Sequence, residues 1–202
     1  ASTNVAFTSV DGVLFSLRPD GESASLYAYP ANKVGSTYTT PTSVSFAGGS
    51  PIPVTTIEGY AFQGAKNLTT LNISQGVTTL GYGIAASSTL LSTINLPDSY
   101  TEMTEVPFAG ASGLTSLAIG AFLTSIPAGA FYQTANLNSI TVDALNPNYS
   151  SRDGVLFDKD KLILHTYPSG NTGSYDVPAG VTHIEANAFY GSQVTSVSIP
   201  EG

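Results

Sequence analysis

The sequence contains no cysteine and has few charged residues. Without cysteine the chain can form no disulfide, no thiolate metal site and no cysteine nucleophile. Charged residues make up 10% of its 202 residues, well below the roughly 25% usual for soluble domains. The charges are also unbalanced, because six Lys and Arg face fourteen Asp and Glu, which gives a net charge of −8. Nucleic acid and anionic lipid are therefore disfavoured as partners, since both require a basic patch.

Long hydrophobic runs and a targeting segment are missing as well. No stretch of 18 apolar residues occurs, so the sequence offers no transmembrane helix and no membrane insertion of this segment is expected. The chain begins Ala-Ser-Thr, without a methionine or a signal peptide. We therefore expect a mature or excised segment, whose signal or lipid anchor is absent from it. At 42% hydrophobic residues, the composition is sufficient to build a core.

What the sequence does contain is a 23-residue repeat over residues 55–142. Apolar residues recur at four positions of each copy, always 23 residues apart. A fixed period in the twenties is typical of a leucine-rich solenoid, in which each copy forms one coil that buries its apolar face only by stacking. The four columns are Ile57, Leu80, Met103 and Ile126; Leu68, Leu91, Leu114 and Leu137; Leu71, Ile94, Leu117 and Ile140; and Ile73, Leu96, Ile119 and Val142.

Each coil is predicted to contribute one short strand and one aromatic ring. In the strand 68–73, Leu71 and Ile73 are expected to face inward, so Thr70 and Asn72 face outward by the two-residue alternation of a strand. A phenylalanine follows Ala or Pro at one height of the coils, which predicts a spine of stacked rings. Those rings are Phe62, Phe108, Phe131 and Phe189, and the coil that begins at Leu80 has Ile84-Ala85 there instead.

A second motif occurs twice, outside the 23-residue period. Both copies predict a β-hairpin, because Val, Leu and Phe favour strands and Pro cannot donate to a ladder at the end of the returning strand. Asp11–Phe15 returns as Asp153–Phe157, Tyr29-Pro30 returns as Tyr167-Pro168, and Asn4 and Phe7 precede the first copy as Asn146 and Tyr149 precede the second.

Together these patterns predict one right-handed leucine-rich repeat solenoid. It is expected to be mostly β, with a parallel β-ladder of 23-residue coils, two β-hairpin units and short helical turns. We expect a single domain over residues 1–202. Its parts are an N-terminal hairpin unit (1–54), four coils (55–146), a second hairpin unit (147–181) and a further coil that we expect to be truncated (182–202).

The segment 180–191, followed by 194–200, resembles the BspA-like leucine-rich repeats. Those repeats are 23-residue coils with an Ala-Phe pair and an Ile-Pro ending, as in Ala188-Phe189 and Ile199-Pro200. The Asp-Gly-Val-Leu-Phe hairpin followed by Tyr-Pro also looks like an element of those proteins. The resemblance implies a surface-exposed or secreted bacterial protein, and some members bind host matrix proteins or other cells. It carries over no catalytic residue.

No residue pattern indicates catalysis, a cofactor or a metal. His165 and His183 lack the short spacing of a metal pair, and no Gly-Xaa-Ser-Xaa-Gly elbow occurs. The run Asp158-Lys-Asp160 is followed by apolar residues, so a hairpin turn explains it better than a calcium site. A Ser–His–Asp grouping assembled by folding remains an open, less favoured alternative. We therefore predict a protein that is not an enzyme and has no cofactor.

Two sets of residues are candidates for partner binding. A solenoid normally binds along its concave sheet, although a merely solvated sheet face is the alternative. Tyrosine is favoured at binding surfaces, although these rings could instead cover coil ends. The first set is Thr70, Asn72, Thr93, Asn95, Ser116, Ser139, Thr141, Ser196 and Ser198, and the second is Tyr60, Tyr82, Tyr132 and Tyr190.

The leading functional hypothesis is a non-enzymatic, extracellular binding or adhesion module at a bacterial cell surface. It would present the solenoid to a protein partner, such as a host matrix or cell-surface protein. One alternative is a structural spacer domain of a larger surface protein. Another is a glycan-binding module that uses exposed tyrosines, because aromatic rings stack on sugars. The sequence does not predict an oligomeric state.

Overall fold

The computed structural model describes residues 6–200, which form seventeen β-strands joined by turns. Within that range no helix is long and apolar enough to cross a membrane. Asn4, in the lead-in to the first hairpin, and the last two positions of the expected final coil lie outside the described residues. The strands are β1 (Phe7–Val10), β2 (Val13–Leu17), β3 (Ala24–Ala28), β4 (Thr37–Thr39), β5 (Ser43–Val44), β6 (Ile52–Ile57), β7 (Thr70–Asn72), β8 (Thr79–Leu80), β9 (Thr93–Asn95), β10 (Ser116–Ile119), β11 (Ser139–Val142), β12 (Tyr149–Arg152), β13 (Val155–Asp158), β14 (Ile163–Thr166), β15 (Thr172–Asp176), β16 (His183–Ile184) and β17 (Gln193–Ser198).

The 23-residue coils and β4 form a parallel ladder of five strands in the order β11-β10-β9-β7-β4. Leu71 pairs with Ile94, and Leu117 pairs with Ile140, so residues 23 apart lie side by side. All four side chains are buried in one core. The in-register stacking of the apolar columns is therefore confirmed, and with it the solenoid of leucine-rich coils.

Runs of hydrogen-bonded turns, rather than regular helices, close each coil. The run at 59–64 contains Tyr60 at φ 61° and Gly64 at φ 64°, and the run at 128–133 contains Gly129 at φ 79° and Gln133 at φ 57°. A residue in the left-handed region cannot continue a right-handed helix. Each run therefore reverses the chain within a few residues, which keeps the coil short enough for a 23-residue repeat.

The aromatic rings stack in groups, and the hairpin units extend them. Phe108 and Phe131 are stacked with ring centroids 5.9 Å apart and planes within 3°. Phe62 instead packs against Tyr29 at 5.1 Å, and Phe189 against Tyr167 at 5.2 Å. The Tyr-Pro segment of each hairpin unit thus takes the place that an Ala-Phe pair holds in a coil.

Each hairpin unit consists of three antiparallel strands, β1-β2-β3 in the first and β12-β13-β14 in the second. Both Asp-Gly turns have positive φ at both residues, at 49° and 78° for Asp11-Gly12 and at 53° and 80° for Asp153-Gly154. This is the conformation that a tight hairpin requires, and Asp-Gly accepts it readily. After each unit the chain begins a parallel ladder, with β4 in the first case and β15, which pairs with β17, in the second.

The second hairpin unit covers the edge of the five-stranded ladder. The Ile140 amide donates to the Gly154 carbonyl at 2.8 Å, and the Val142 amide donates to the Ser151 hydroxyl at 3.1 Å. Leu156 is fully buried in the core of the coils, whereas its neighbours Val155 and Phe157 belong to a second core. Strand β13 is therefore apolar on both faces, because it lies between two cores.

Candidate interaction surfaces

The outward side chains of β7, β9, β10 and β11 form one continuous surface, called here the ladder face. Because side chains alternate along a strand, burying Leu71 and its equivalents leaves small polar residues on this side. Ser139 is half-buried, since the turn at Gly154 lies against it. The ladder pairs Thr70 with Thr93, Thr93 with Ser116, Ser116 with Ser139, Asn72 with Asn95, and Ala118 with Thr141.

An amide ladder and a groove give the ladder face its shape. Asn95 Nδ2 donates to Asn72 Oδ1 at 2.6 Å, and Asn72 Nδ2 donates to Thr39 Oγ1 at 3.2 Å, so both side chains are oriented by their neighbours. Beyond Asn95 lies a shallow groove of about 360 Å³. It is lined by Asn95, Leu96, Ala118, Ile119, Gly120, Thr141, Val142 and Asp143.

The candidates Ser196 and Ser198 lie apart from the other outward residues. Both are on β17, which pairs only with β15 in a separate two-stranded sheet. The second hairpin unit stands between this sheet and β11. The structure thus brings together Thr70, Asn72, Thr93, Asn95, Ser116, Ser139 and Thr141 on one sheet, and places the two serines on a separate sheet.

The four candidate tyrosines form two pairs. Tyr60 and Tyr82 have ring centroids 5.7 Å apart and planes at 60°. Tyr132 and Tyr190 are closer, at 4.6 Å and 31°, and the Tyr190 hydroxyl donates to that of Tyr132 at 3.1 Å. This hydrogen bond raises the pKa of Tyr190. In each pair the rings pack on one another at an angle, so neither pair offers the two parallel faces that a sugar would need.

Acidic and imidazole groups do not converge in the part of the chain that the structure describes. No group of three or more His, Asp or Glu side chains that could hold a metal ion occurs in residues 6–200. Glu102 and Glu105 are exposed, and Asp158 Oδ1 accepts the Ile163 amide at 2.6 Å within the hairpin. The run around Asp158 is thus part of a turn, in agreement with the hairpin interpretation.

The sequence interpretation missed a clip that joins the second hairpin unit to the coil before it. Tyr149 Oη accepts the Ile126 amide at 2.9 Å, and His165 Nε2 lies 3.0 Å from the Ile126 carbonyl oxygen. Tyr149 and His165 contact each other edge to face. Asn146, fully buried, donates to the Gly120 and Leu123 carbonyls at 2.8 Å. The shared spacing of Asn146, Tyr149 and the Asp-Gly turn in both copies was the available signal.

Lowering the pH below about 6.5 should destabilise the fold through His165. Burial lowers the pKa of His165, which the Ile126 carbonyl and Glu185 oppose only in part. The fold therefore holds a neutral imidazole, with Nε2–H donating to Ile126 and Nδ1 accepting from the Thr166 hydroxyl at 2.9 Å. As the pH falls, the unfolded chain binds a proton at this histidine before the folded chain does. The stabilisation is therefore complete above about pH 6.5 and decreases as the pH falls towards the lower pKa of His165 in the folded state.

Urea melts at pH 7.5 and pH 5.0 measure this effect. His165→Gln should be less stable than wild type at pH 7.5 and should lose less stability on acidification. The matched variant His183→Gln, at an exposed position, should keep the wild-type pH dependence. Equal losses in wild type and His165→Gln would contradict the assignment.

Comparison with known proteins agrees with this architecture. A family model described as BspA type leucine rich repeat region matches residues 43–152 and 166–202 in six copies. No curated protein matches the chain. Among solved structures, the pneumococcal vaccine antigen PcpA is 19% identical with a TM-score of 0.63, over 100% of this chain and 66% of that one.

Two further solved structures are leucine-rich repeat proteins of bacteria. The protein from Eubacterium ventriosum is 22% identical with a TM-score of 0.57, over 93% of this chain and 57% of that one. The protein from Bacteroides capillosus is 23% identical with a TM-score of 0.60, over 69% of this chain and 99% of that one. The chain thus spans just over half of the Eubacterium protein, and these identities show the fold alone. Because the family model matches most of its residues, the chain belongs to the BspA-type leucine-rich repeat family.

Proposed function

We propose that the chain is a non-enzymatic binding module of a bacterial surface protein and that it engages a protein partner along the ladder face. The observation that carries this proposal is the groove beside Asn95, Ala118 and Thr141, on a face where hydroxyl and amide groups lie in rows. Such a surface offers hydrogen bonds at regular spacing to a partner that lies across several strands. Repeat proteins commonly bind along this kind of extended sheet surface.

Charge indicates what the partner should offer in return. No Lys or Arg lies on β7, β9, β10 or β11, and Asp143 lies at the rim of the groove. The whole chain carries a net charge of −8. A partner with a basic or amide-rich contact surface is therefore favoured, because complementary potentials speed encounter and suppress wrong partners. A host matrix or cell-surface protein fits this requirement.

Surface plasmon resonance on immobilised fibronectin, laminin and collagen tests the proposal. Ser116→Arg combined with Thr141→Arg places two bulky cations on the exposed ladder face and should weaken any wild-type binding by about tenfold or more. The matched control, Thr78→Arg with Thr104→Arg, adds the same charge at exposed positions away from the ladder and should leave binding within about twofold. Equal loss in both variants would show a general charge effect instead.

Two outcomes would favour the other hypotheses. If wild-type protein binds none of these matrix proteins and no intact host cells, the spacer hypothesis replaces the binding module. If a partner binds but only Tyr132→Ala or Tyr190→Ala weakens it, the tyrosine pair is the contact surface. Because the tilted rings of Tyr132 and Tyr190 do not offer the parallel faces that a sugar would need, we place the glycan-binding hypothesis after the ladder face.

A further inference from the structure

The contact between Tyr132 and Tyr190 has a geometry that no other tyrosine pair in residues 6–200 shares. Its ring centroids are 4.6 Å apart with planes at 31°, and its hydroxyl oxygens lie 3.1 Å apart. The hydroxyl ends of the two rings are therefore closer to each other than the ring centres are. In each ring the hydroxyl-bearing carbon Cζ is flanked by the two ortho carbons, so this end also brings the ortho carbons of the two rings together.

Three further tyrosine pairs make ring contacts in the described chain, but at steeper angles and without a hydrogen bond between their hydroxyls. Two of them include a buried ring, Tyr29 or Tyr167, and the third is exposed but has its centroids further apart. They are Tyr29–Tyr38 at 5.1 Å and 61°, Tyr167–Tyr175 at 4.6 Å and 54°, and Tyr60–Tyr82 at 5.7 Å and 60°.

The composition leaves tyrosine as the side chain of this protein that an oxidant attacks most readily. Cysteine and tryptophan are absent, and the single methionine, Met103, is only 2% exposed. Cysteine and methionine sulfur are the usual targets of oxidants, and an indole loses an electron more easily than a phenol does. A one-electron oxidant that encounters this chain therefore reacts with its phenol rings.

The two tyrosines belong to coils on either side of the second hairpin unit. Phe131, next to Tyr132, is part of the core of the coils, whereas Ala188, just before Tyr190, is part of the second core. Gln193 Nε2 also donates to the Ala135 carbonyl at 3.4 Å between the same two coils. A bond between the two rings would span 58 positions of the chain and would enclose the whole of that hairpin unit.

We propose that Tyr132 and Tyr190 are a site of oxidative cross-linking, at which a haem peroxidase supplied with hydrogen peroxide couples the two rings into dityrosine. Each ring gives one electron to the ferryl haem and its hydroxyl proton to water, which leaves two phenoxyl radicals. The radicals pair their electrons in a bond between two ortho carbons. Each coupled carbon then loses its proton and each oxygen regains one. The pair has thus lost two electrons and two protons, which reduce one hydrogen peroxide to two waters.

The cross-link would fasten the two cores of the protein to each other. A covalent link between distant residues restricts the unfolded chain and thereby stabilises the folded one, as a disulfide does. This chain cannot gain that stability from a disulfide, because it has no cysteine. In a protein that acts outside the cell, as proposed above, coupling of the tyrosines would supply the link under oxidising conditions.

Treatment of the folded chain with a haem peroxidase and limiting hydrogen peroxide, at low micromolar protein concentration, tests the proposal. The product should be a monomer that shows dityrosine fluorescence and whose intact mass is lower by two hydrogen atoms. Trypsin cleaves between the two tyrosines at Arg152, Lys159 and Lys161. After digestion, peptides 67–152 and 162–202 should nevertheless remain joined. The same treatment in concentrated urea, where the rings are separated, should give much less of the joined product.

Conservative variants assign the cross-link to this pair. Tyr132→Phe and Tyr190→Phe keep an aromatic ring but cannot form a phenoxyl radical at that position, so each should lose the joined peptides. The matched control, Tyr60→Phe with Tyr82→Phe, removes the exposed pair whose centroids are further apart and should keep them. Joined peptides that persist in Tyr132→Phe, or that form as readily in urea, would overturn the proposal. Oxidation that joins only separate molecules would overturn it as well.

Urea unfolding of the joined monomer measures what the link does. Its midpoint should lie at a higher urea concentration than that of untreated protein, because the unfolded chain is restricted. Tyr132→Phe treated in the same way should keep the midpoint of the untreated variant, which excludes a general effect of oxidation. A joined monomer whose midpoint is unchanged would overturn the stabilising role of the cross-link.

Discussion

Replacing Phe131 by alanine should lower the free energy of unfolding by about 3–5 kcal/mol. The ring is buried and stacks on Phe108 with nearly parallel planes. Its removal loses the transfer free energy of the side chain and leaves a cavity that close-packed coils cannot fill. In a solenoid each coil contacts only its neighbours, so the loss falls on the interfaces of one coil. Urea denaturation followed by circular dichroism measures the change.

The matched control is Phe122→Ala, at a ring that is 55% exposed. Its replacement should change the free energy of unfolding by about 0.5 kcal/mol or less. A loss below about 1 kcal/mol for Phe131→Ala would show that this ring contributes little to the core, whatever its burial. A broadened transition would show instead that the coils on either side of Phe131 unfold separately.

The coil architecture could be predicted because the same apolar positions recur in every 23-residue copy. A single apolar residue is ambiguous, but Leu71, Ile94, Leu117 and Ile140 at one spacing require stacked strands. The strand period then fixes which side chains face outward. For this reason the residues of the ladder face were predicted together, although nothing in their chemistry distinguishes them from other surface serines and threonines.

The separation of Ser196 and Ser198 from the ladder face could not be predicted from the same pattern. Their spacing matches a coil, and spacing reports only the local register of a strand. The ladder is interrupted by tertiary packing, because β13 packs Leu156 into one core and Phe157 into another. A strand buried on both faces is a continuous apolar run, and Val155-Leu156-Phe157 is such a run. The sequence analysis assigned this run only to one strand of a predicted hairpin, and not to a strand buried on both faces.

The contact of His165 with the backbone of Ile126 was not predicted, for a related reason. The sequence analysis assigned His165 no role, because an isolated histidine in a sequence has no visible partner. Its partner is the backbone carbonyl of Ile126, 39 positions earlier. Backbone atoms are the same at every residue, so no sequence pattern predicts a contact with a particular backbone carbonyl. The duplication of the hairpin unit was the usable signal, since it makes Tyr27 and His165 equivalent positions.

Replacing Gly113 by alanine should destabilise the protein by about 3 kcal/mol, the upper end of the range for overpacking a tight contact. Gly113 is buried, and a Cβ there would lie 2.4 Å from the Ser88 carbonyl oxygen and 2.8 Å from Thr89 backbone atoms. These are backbone atoms of the preceding coil, so no side-chain rotation relieves the clash. The φ of Gly113 is not positive, and the penalty therefore comes from lack of space between coils rather than from backbone strain.

Gly120→Ala is the matched control, because this glycine also lacks a positive φ but is exposed. A Cβ there would meet only Asp98 Oδ1, at 3.9 Å. Stability should stay within about 0.5 kcal/mol of wild type, or rise slightly because alanine restricts the unfolded chain. Thermal and urea melts of the two variants side by side separate the causes. Equal changes in stability for the two variants would mean that the conformational freedom of glycine matters at both positions. A loss of stability confined to Gly113→Ala would show that adjacent coils contact each other through their backbones.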